Sequence, residues 1–350
     1  MKRILLAGAG HAHAAVLASL ARKPLYGASI TLVSPRARQL YSAMLPGVIA
    51  GHYREEEASI DVARLAESAQ CETVFDSIVA IDAARRSVTL SDGRRLGYDL
   101  LSLNVGSQVD VSAPGAAEHA LAVKPFERLV SFLGKPRHVA IAGGGAAGVE
   151  LAMALRHRGI EVTVYSERDA FEGRAGERLR RALRRRKVDY RRGMRADALE
   201  PGPVVVSGSA RQAFDLVLWA AGAAALPMFA GSGLALDERG FVRVDEALRS
   251  VSHPEVLAAG DCAALDEPKS GVHAVRQGAV LADTLRCLVQ GLRPQPYRPR
   301  RRALLILTCG ARYAIATRGG WSAEGRWVWW WKNWIDRRWL KRLRRKPAAR

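Results

Sequence analysis

The stretch Val139-Ala140-Ile141-Ala142-Gly143-Gly144-Gly145-Ala146-Ala147-Gly148-Val149-Glu150 decides the fold. A short apolar run ends in Gly143-x-Gly145-x-x-Gly148 and passes into an Ala/Leu-rich segment, which reads as strand, glycine turn and helix. Gly143 permits the tight turn, Gly145 lets backbone approach a pyrophosphate, and Gly148 lets the helix lie close on the strand. The pyrophosphate then meets free N–H groups and the positive end of the helix dipole. One such motif is a weak signal. Here Ile4-Leu5-Leu6-Ala7-Gly8-Ala9-Gly10 opens the chain with the same strand-to-glycine pattern, so two dinucleotides are expected on one protein.

The remaining composition narrows the class. At 350 residues with 49% hydrophobic content, the chain can bury two or three domain cores. Its four cysteines are far apart with no C-x-x-C, which argues against a disulfide scaffold or a zinc site and for a reducing cytoplasm. The opening residues resemble a signal peptide only superficially, since Gly8 and Gly10 break the apolar core. With no run of 18 apolar residues, no membrane-spanning helix is expected. The formal charge of +20 sits in two patches, a net +15 over residues 293–350 and +9 over residues 178–195. Such patches suit an anionic surface, or are simply solvated faces.

In chain order, residues 3–33 read strand, turn, helix, strand, with His13 in the place of the third glycine. A larger residue there is expected to loosen helix–strand packing while sparing the turn. Ser34 stands where an acid would meet a ribose hydroxyl. Tyr98–Ser107 reads as a buried parallel strand ending in Val105-Gly106-Ser107, and Asp215–Trp219 as another ending in Ala220-Ala221-Gly222. The strand Glu161–Tyr165 ends in Ser166-Glu167-Arg168; an acid favours NADH and an arginine a 2′-phosphate, so the nucleotide stays open. Val256–Asp261 is a strand ending in Gly260-Asp261, followed by a helix from about Val272 to Leu288, and Pro294, Pro296 and Pro299 form a linker.

Six of the 13 residues from Trp327 to Trp339 are tryptophan, and basic residues follow from Arg337 to Lys346. On a helix Val328, Trp331, Ile335, Trp339 and Leu343 share one face, which Lys332 and Arg342 border. Interfacial Trp beside Lys/Arg describes a helix lying on a membrane. The alternative is a terminal helix docked on its own sheet or on a second subunit, a homodimer. Nucleic acid is disfavoured, because the aromatics stack on one another instead of interleaving with basic residues.

Two glycine turns, the two strand endings and the late Gly260-Asp261 occur together in an order that resembles the FAD-dependent pyridine nucleotide–disulfide oxidoreductase superfamily. Within it the chain resembles the type II NADH dehydrogenases. Gly10-His11-Ala12-His13, the block Tyr41–Tyr53, Ile60-Asp61 and Val123-Lys124-Pro125 are similar to a subgroup fused ahead of a selenophosphate synthetase domain. The resemblance implies an α/β fold of two Rossmann-like domains: residues 1–115 and 250–297 for FAD, 116–249 for NAD(P)H, and a terminal amphipathic segment 298–350. It implies FAD on Gly8, Gly10, His11, Ser34, Gly106 and Asp261, with Met44 and Pro46 near the isoalloxazine and Val275 on the helix whose N-terminus faces the flavin pyrimidine. It implies NAD(P)H on Gly143, Gly145, Gly148, Ser166 and Gly222, Glu150 close to the nicotinamide, and Gln277 on the helix bordering flavin and quinone.

The expected chemistry is hydride transfer from NAD(P)H, a co-substrate, to bound FAD, which needs positioning and electrostatic support more than acid–base groups. This suits a chain without a C-x4-C redox pair or any metal-ligand cluster. The expected second acceptor is a quinone at the inner face of the cell membrane, with the protein cytoplasmic and peripheral. A soluble reductase of a protein acceptor and a low-turnover redox sensor are the alternatives. Sulfide:quinone chemistry is disfavoured because Gly143–Leu155 carries no cysteine, leaving Cys262 and Cys309 as core thiols.

Overall fold

The computed structural model describes residues 1–132, 136–299 and 303–344. Arg300, Arg301, Arg302, Arg345, Lys346 and Arg350, counted above in the basic terminus, lie outside them. Two five-stranded parallel sheets organise the chain. The first runs Val256–Ala258, Leu100–Leu103, Lys2–Ala7, Ala28–Val33, Glu72–Val74 across its width. The second runs Leu121–Ala122, Leu216–Trp219, His138–Ala142, Glu161–Ser166, Asp189–Arg192. In each, the glycine strand is central and carries its helix back across the sheet, so both glycine turns sit at the carboxyl ends of strands, where open α/β sheets bind ligands. Strands such as Leu100–Leu103 and Leu216–Trp219 are buried at every residue, as parallel strands covered on both faces must be. Each half also carries an antiparallel meander, Ile78–Gly97 in the first and Ala198–Ala213 in the second.

The first half is discontinuous: Val256–Ala258 joins it only after the second half is complete, pairing in register with Leu101–Leu103. The long helix Gly271–Gln290 then packs on the first helix, His11–Arg22. Gly278 allows that approach, since a Cβ there would sit 2.4 Å from the Ala12 carbonyl oxygen.

The terminal segment is more than a helix. An antiparallel sheet of Leu305–Thr308, Ala314–Arg318 and Trp321–Gly325 precedes the helix Arg326–Arg344. That helix docks on its own protein. Val328, Trp329, Leu340 and Leu343 are buried, and so are Lys332 and Asp336. Lys332 Nζ donates to Asp336 Oδ2 at 2.7 Å and to the Ala43 carbonyl at 2.6 Å, and Tyr41 OH reaches Asp336 Oδ1. Of the stripe expected to meet lipid, Val328 and Leu343 are buried against the body of the protein and Trp331, Ile335 and Trp339 are half-buried, while Lys332, which borders the stripe, lies inside the contact. Trp327, Trp330 and Trp334 face outward at 57%, 51% and 57% exposure. No described helix is long and apolar enough to cross a membrane.

A buried ammonium without its counter-charge is costly. Asp336→Ala should lower unfolding free energy in urea by about 3–5 kcal/mol. Trp330→Ser, on the outward face, should change it by no more than about 0.5 kcal/mol.

Candidate functional site: two nucleotide cradles

The first cradle assembles at the carboxyl end of Lys2–Ala7. Gly8 adopts φ +83°, and a Cβ on Gly10 would lie 2.4 Å from Asn104 Oδ1, so neither position tolerates a side chain. Asn104 itself, buried, is the organising group. Its Oδ1 accepts from the amides of Ala12 (3.0 Å) and His13 (3.1 Å), its Nδ2 donates to the Ala259 carbonyl (2.7 Å), and its own carbonyl accepts from Gly10 N (3.3 Å). The helix N-terminus is thus capped from a distant strand, which satisfies two of its orphan amides.

His13 departs from the expectation that it loosens packing. It is fully buried, with Nδ1 against the Gly8 carbonyl and Nε2 2.8 Å from Ser102 Oγ. A carbonyl can only accept, so Nδ1 carries the proton and Nε2 accepts from the serine. The imidazole fills the space that a glycine would leave and latches the turn to the neighbouring strand. Burial pushes its pKa down to about 4, against the pull of the Gly8 carbonyl. His11, on the ligand side, is also pushed down to about 4 by burial, with Asp261 opposing and Lys124 assisting. Its ring packs on Gly271, the first residue of the long helix, and lies 5.2 Å from the Tyr41 ring.

Asp261 follows the positive-φ Gly260. Its Oδ2 accepts from Lys124 Nζ at 2.7 Å and Ser107 Oγ at 3.2 Å. Burial raises this carboxyl, but the Lys124 charge and the two hydrogen bonds carry it below the ordinary range, so it is a carboxylate. Met44 and Pro46 lie in the buried turn and short helix Ser42–Ile49, where Tyr53 packs flat on Gly47. Ser34 Oγ donates to the Arg36 carbonyl at 3.1 Å. Val275 is half-buried in the first turns of the long helix.

Gln277 is 2% exposed, and both ends of its amide are engaged: Oε1 accepts from Gly260 N and Nε2 donates to Glu267. It holds the Gly260-Asp261 turn and presents no free polar atom to a substrate. Glu267 also accepts from Tyr297 OH at 2.8 Å, which ties the proline linker to the same turn.

The second cradle repeats the first with differences. Gly143 adopts φ +116° against Ala220, and a Cβ on Gly148 would fall 1.9 Å from the Gly143 carbonyl oxygen, so here a glycine does the close packing. A Cβ on Gly145 would meet nothing within 4 Å, as is also true of Gly106 in the first cradle. Open space beside the backbone is what an approaching pyrophosphate or ring requires, so both cradles fit a dinucleotide. Ser166 Oγ donates to the Arg168 carbonyl at 2.7 Å and accepts from Tyr190 OH at 2.9 Å. Gly222, at φ +66°, sits over Asp110.

Glu150, two residues past Gly148, reaches the terminal sheet. Its Oε1 accepts from Thr308 N at 2.7 Å and Thr308 Oγ1 at 2.9 Å. Burial raises its pKa, opposed by the Lys332 charge and the Thr308 bonds. A cleft between the Ala43–Gly47 turn, Thr308 and the inner face of the terminal helix adjoins these groups. The predicted cradle residues thus gather at two sheet ends, with Glu150 between the second cradle and the terminal module. Sequence reading missed Asn104, Lys124, Thr308, Lys332 and Asp336 as functional residues. A lone polar residue inside Leu100–Val105, and a Lys/Asp pair four apart within a Trp-rich helix, were the available signals.

The pyridine nucleotide–disulphide oxidoreductase family matches residues 2–278. The chain belongs to that family. It is an FAD-dependent NAD(P)H oxidoreductase. It is 31% identical over 279 residues to an NADH dehydrogenase-like protein of Mycobacterium tuberculosis, covering 70% of each chain. It is 29% identical over 297 residues to the ferredoxin–NAD(+) reductase component of the p-cumate 2,3-dioxygenase system of Pseudomonas putida, covering 77% of this chain and 69% of that one. The sulfide:quinone oxidoreductase of Aquifex aeolicus superposes with a TM-score of 0.80 at 18% identity, over 100% of this chain and 93% of the other, a likeness of fold.

His13 yields a pH prediction. Its folded pKa, near 4, lies below the unfolded value of 6.5, so the unfolded chain binds the extra proton between them. The contribution is complete above pH 6.5 and is lost as pH falls toward 4. Thermal melts from pH 7 to 4 should show this acid loss, to which His11 adds an equal share, and His13→Ala should remove about half of it while lowering stability at pH 7 by about 3 kcal/mol.

Proposed function

We propose that this oxidoreductase passes electrons taken from NAD(P)H to a protein acceptor with an acidic docking face, such as a small iron–sulfur protein. Bound FAD supplies a ring that accepts hydride and releases electrons singly or in pairs. Gly8, Gly10 and His11 are then the pyrophosphate contacts, Ser34 faces the adenosine ribose, and the Asp261 carboxylate, fixed by Lys124, holds the ribityl side. Met44 and Pro46 form a wall beside the ring, and the N-terminus of Gly271–Gln290, including Val275, faces its pyrimidine, where the helix dipole favours the negative charge of the reduced state. Gly143, Gly145, Gly148, Ser166 and Gly222 take the nicotinamide nucleotide. Glu150 borders the nicotinamide, and Gln277 acts by positioning the Asp261 turn.

The observation that carries the acceptor is the docking of the terminal helix. Its inner face is spent on Lys332, Asp336, Val328 and Leu340. What it leaves outside is strongly basic around the row of Trp327, Trp330 and Trp334. Arg178 and Arg181 of the helix Gly173–Arg185 pair with Glu324 of the terminal sheet at 2.9 and 3.4 Å, which joins the two basic stretches into one surface. A surface of one sign steers an acidic partner into place. Relatives named as ferredoxin–NAD(+) reductase components support the same reading.

A second reading is favoured by the outward row of Trp327, Trp330 and Trp334 beside Arg326 and Arg338, which suits the interface of an anionic bilayer and hence a quinone at the inner face of the cell membrane. The Tyr41–Tyr53 block supports kinship with flavoproteins fused ahead of a selenophosphate synthetase domain, a kinship that names no acceptor.

Anaerobic stopped-flow separates the readings. The flavin, reduced by NAD(P)H, should be reoxidised faster by an acidic [2Fe–2S] protein than by a short-chain quinone, and the protein-driven rate should fall steeply as salt rises from 50 to 300 mM, roughly the range over which the Debye length shrinks below 10 Å. Faster reoxidation by quinone, with flotation on anionic vesicles abolished by Trp327→Ser, Trp330→Ser and Trp334→Ser together, establishes the second reading and defeats the first.

A further inference from the structure

The two cradles carry the same tripeptide pattern at the same place, and only one copy leaves its arginine free. In the first half, strand Ala28–Val33 runs into Ser34-Pro35-Arg36; in the second, strand Glu161–Ser166 runs into Ser166-Glu167-Arg168. In both, the serine hydroxyl donates to the carbonyl two residues on, at 3.1 and 2.7 Å, which fixes the arginine backbone beside the ribose position. In the first half Arg36 pairs with Glu127 at 2.5 Å, so its charge is cancelled. Arg168, in the second half, is exposed, and among the described residues no carboxylate lies within ion-pair distance of its guanidinium.

The surroundings reinforce the difference. Ser166 takes the position where an acid would accept hydrogen bonds from both ribose hydroxyls, and its oxygen is already engaged by Tyr190 and the Arg168 carbonyl. It pairs across the sheet with Arg192, whose side chain is 64% exposed. One carboxylate, Asp169, is shared between Arg180 at 2.6 Å and Arg192 at 3.3 Å, so two cations meet a single anion. With Arg168 and the exposed Glu167 added, the strand end keeps a net positive charge. An unmodified ribose has no use for it. A phosphate on the ribose 2′ oxygen does, through charge-assisted bonds to guanidinium.

We propose that the second cradle is built for NADPH, its 2′-phosphate received by Arg168 and Arg192 beside Ser166. This rests on the reading that the second cradle holds the nicotinamide nucleotide. The flavin half, whose ligand carries no 2′-phosphate, is the internal control, with its matching arginine neutralised.

The test is equilibrium binding to the FAD-loaded protein, its flavin reduced beforehand under anaerobic conditions so that neither NADPH nor NADH can react, read by calorimetry. The probes are 2′,5′-ADP against 5′-AMP, and NADPH against NADH, the members of each pair differing by the 2′-phosphate. The phosphorylated member of each pair should bind about 10–100-fold more tightly, the range expected of charge-assisted bonds. Arg168→Gln should remove most of that preference while leaving NADH within about 3-fold, and Arg192→Gln should remove part of it. Equal affinities within each pair overturn the proposal, as does a preference for NADH that Glu167→Gln abolishes, which would make Glu167 the ribose acceptor. If no adenine nucleotide binds at all, the assignment of the second cradle falls and this proposal with it. Equal binding sinks the NADPH assignment alone.

Discussion

The Asn104 carboxamide is the constraint on which the flavin half depends. That half is assembled from two pieces of chain separated by the whole second half, and a parallel strand added so late brings no local turn to hold it. Asn104 supplies the tie: Nδ2 holds the Ala259 carbonyl of the late piece, and Oδ1 holds the Ala12 and His13 amides of the early one. Buried polar groups are tolerated only when their hydrogen bonds are satisfied, and here the satisfied amide also ties together the parts of the cradle. The glycines at positions 10 and 260 follow from it, because a Cβ at either would strike the carboxamide at 2.4 Å, while Gly8 makes room for the Asn104 backbone carbonyl.

The second half solves the same problem without such a residue. Its five strands all fall between Leu121 and Trp219, with only its own meander interposed before Leu216–Trp219, so no piece from beyond the other half needs tying in, and Gly148 packs directly on the Gly143 carbonyl. Where the first half has the larger His13, the space is filled by a ring that hydrogen-bonds at both nitrogens. A glycine and a buried neutral histidine thus serve as alternative ways to join helix and strand behind a phosphate turn. The histidine way adds a hydrogen-bonded latch and a sensitivity to acid that glycine lacks.

Features that depend on local chain chemistry were legible in the sequence. The glycine turns, the fully apolar strands and the Gly260-Asp261 ending announce themselves through backbone conformation and periodicity over a few residues. What was not legible depends on partners far away in sequence. Gln277 reads as a helical surface residue until Glu267 and Gly260 are seen to take both ends of its amide. Lys332 reads as a flaw in an apolar stripe until Ala43, 289 residues distant, accepts its proton. The terminal sheet escaped notice because Leu305–Thr308 and Ala314–Arg318 are short strands beside a tryptophan-rich helix whose composition dominates the segment.

The terminal module does more than cover the cradles. It places three ionisable groups, Glu150, Lys332 and Asp336, in one water-poor neighbourhood at the edge of the Ala43–Gly47 turn. Burial raises both carboxyls, and each is opposed by the same Lys332 ammonium. One ammonium balances one carboxylate. The low-dielectric arrangement of least cost is therefore a Lys332–Asp336 ion pair, at 2.7 Å, with Glu150 hydrogen-bonded instead to Thr308. The same ion pair fixes the rotation of the helix and hence the direction in which its tryptophans and arginines face. The outward face of the helix and the local charge balance are in this way set by one buried contact.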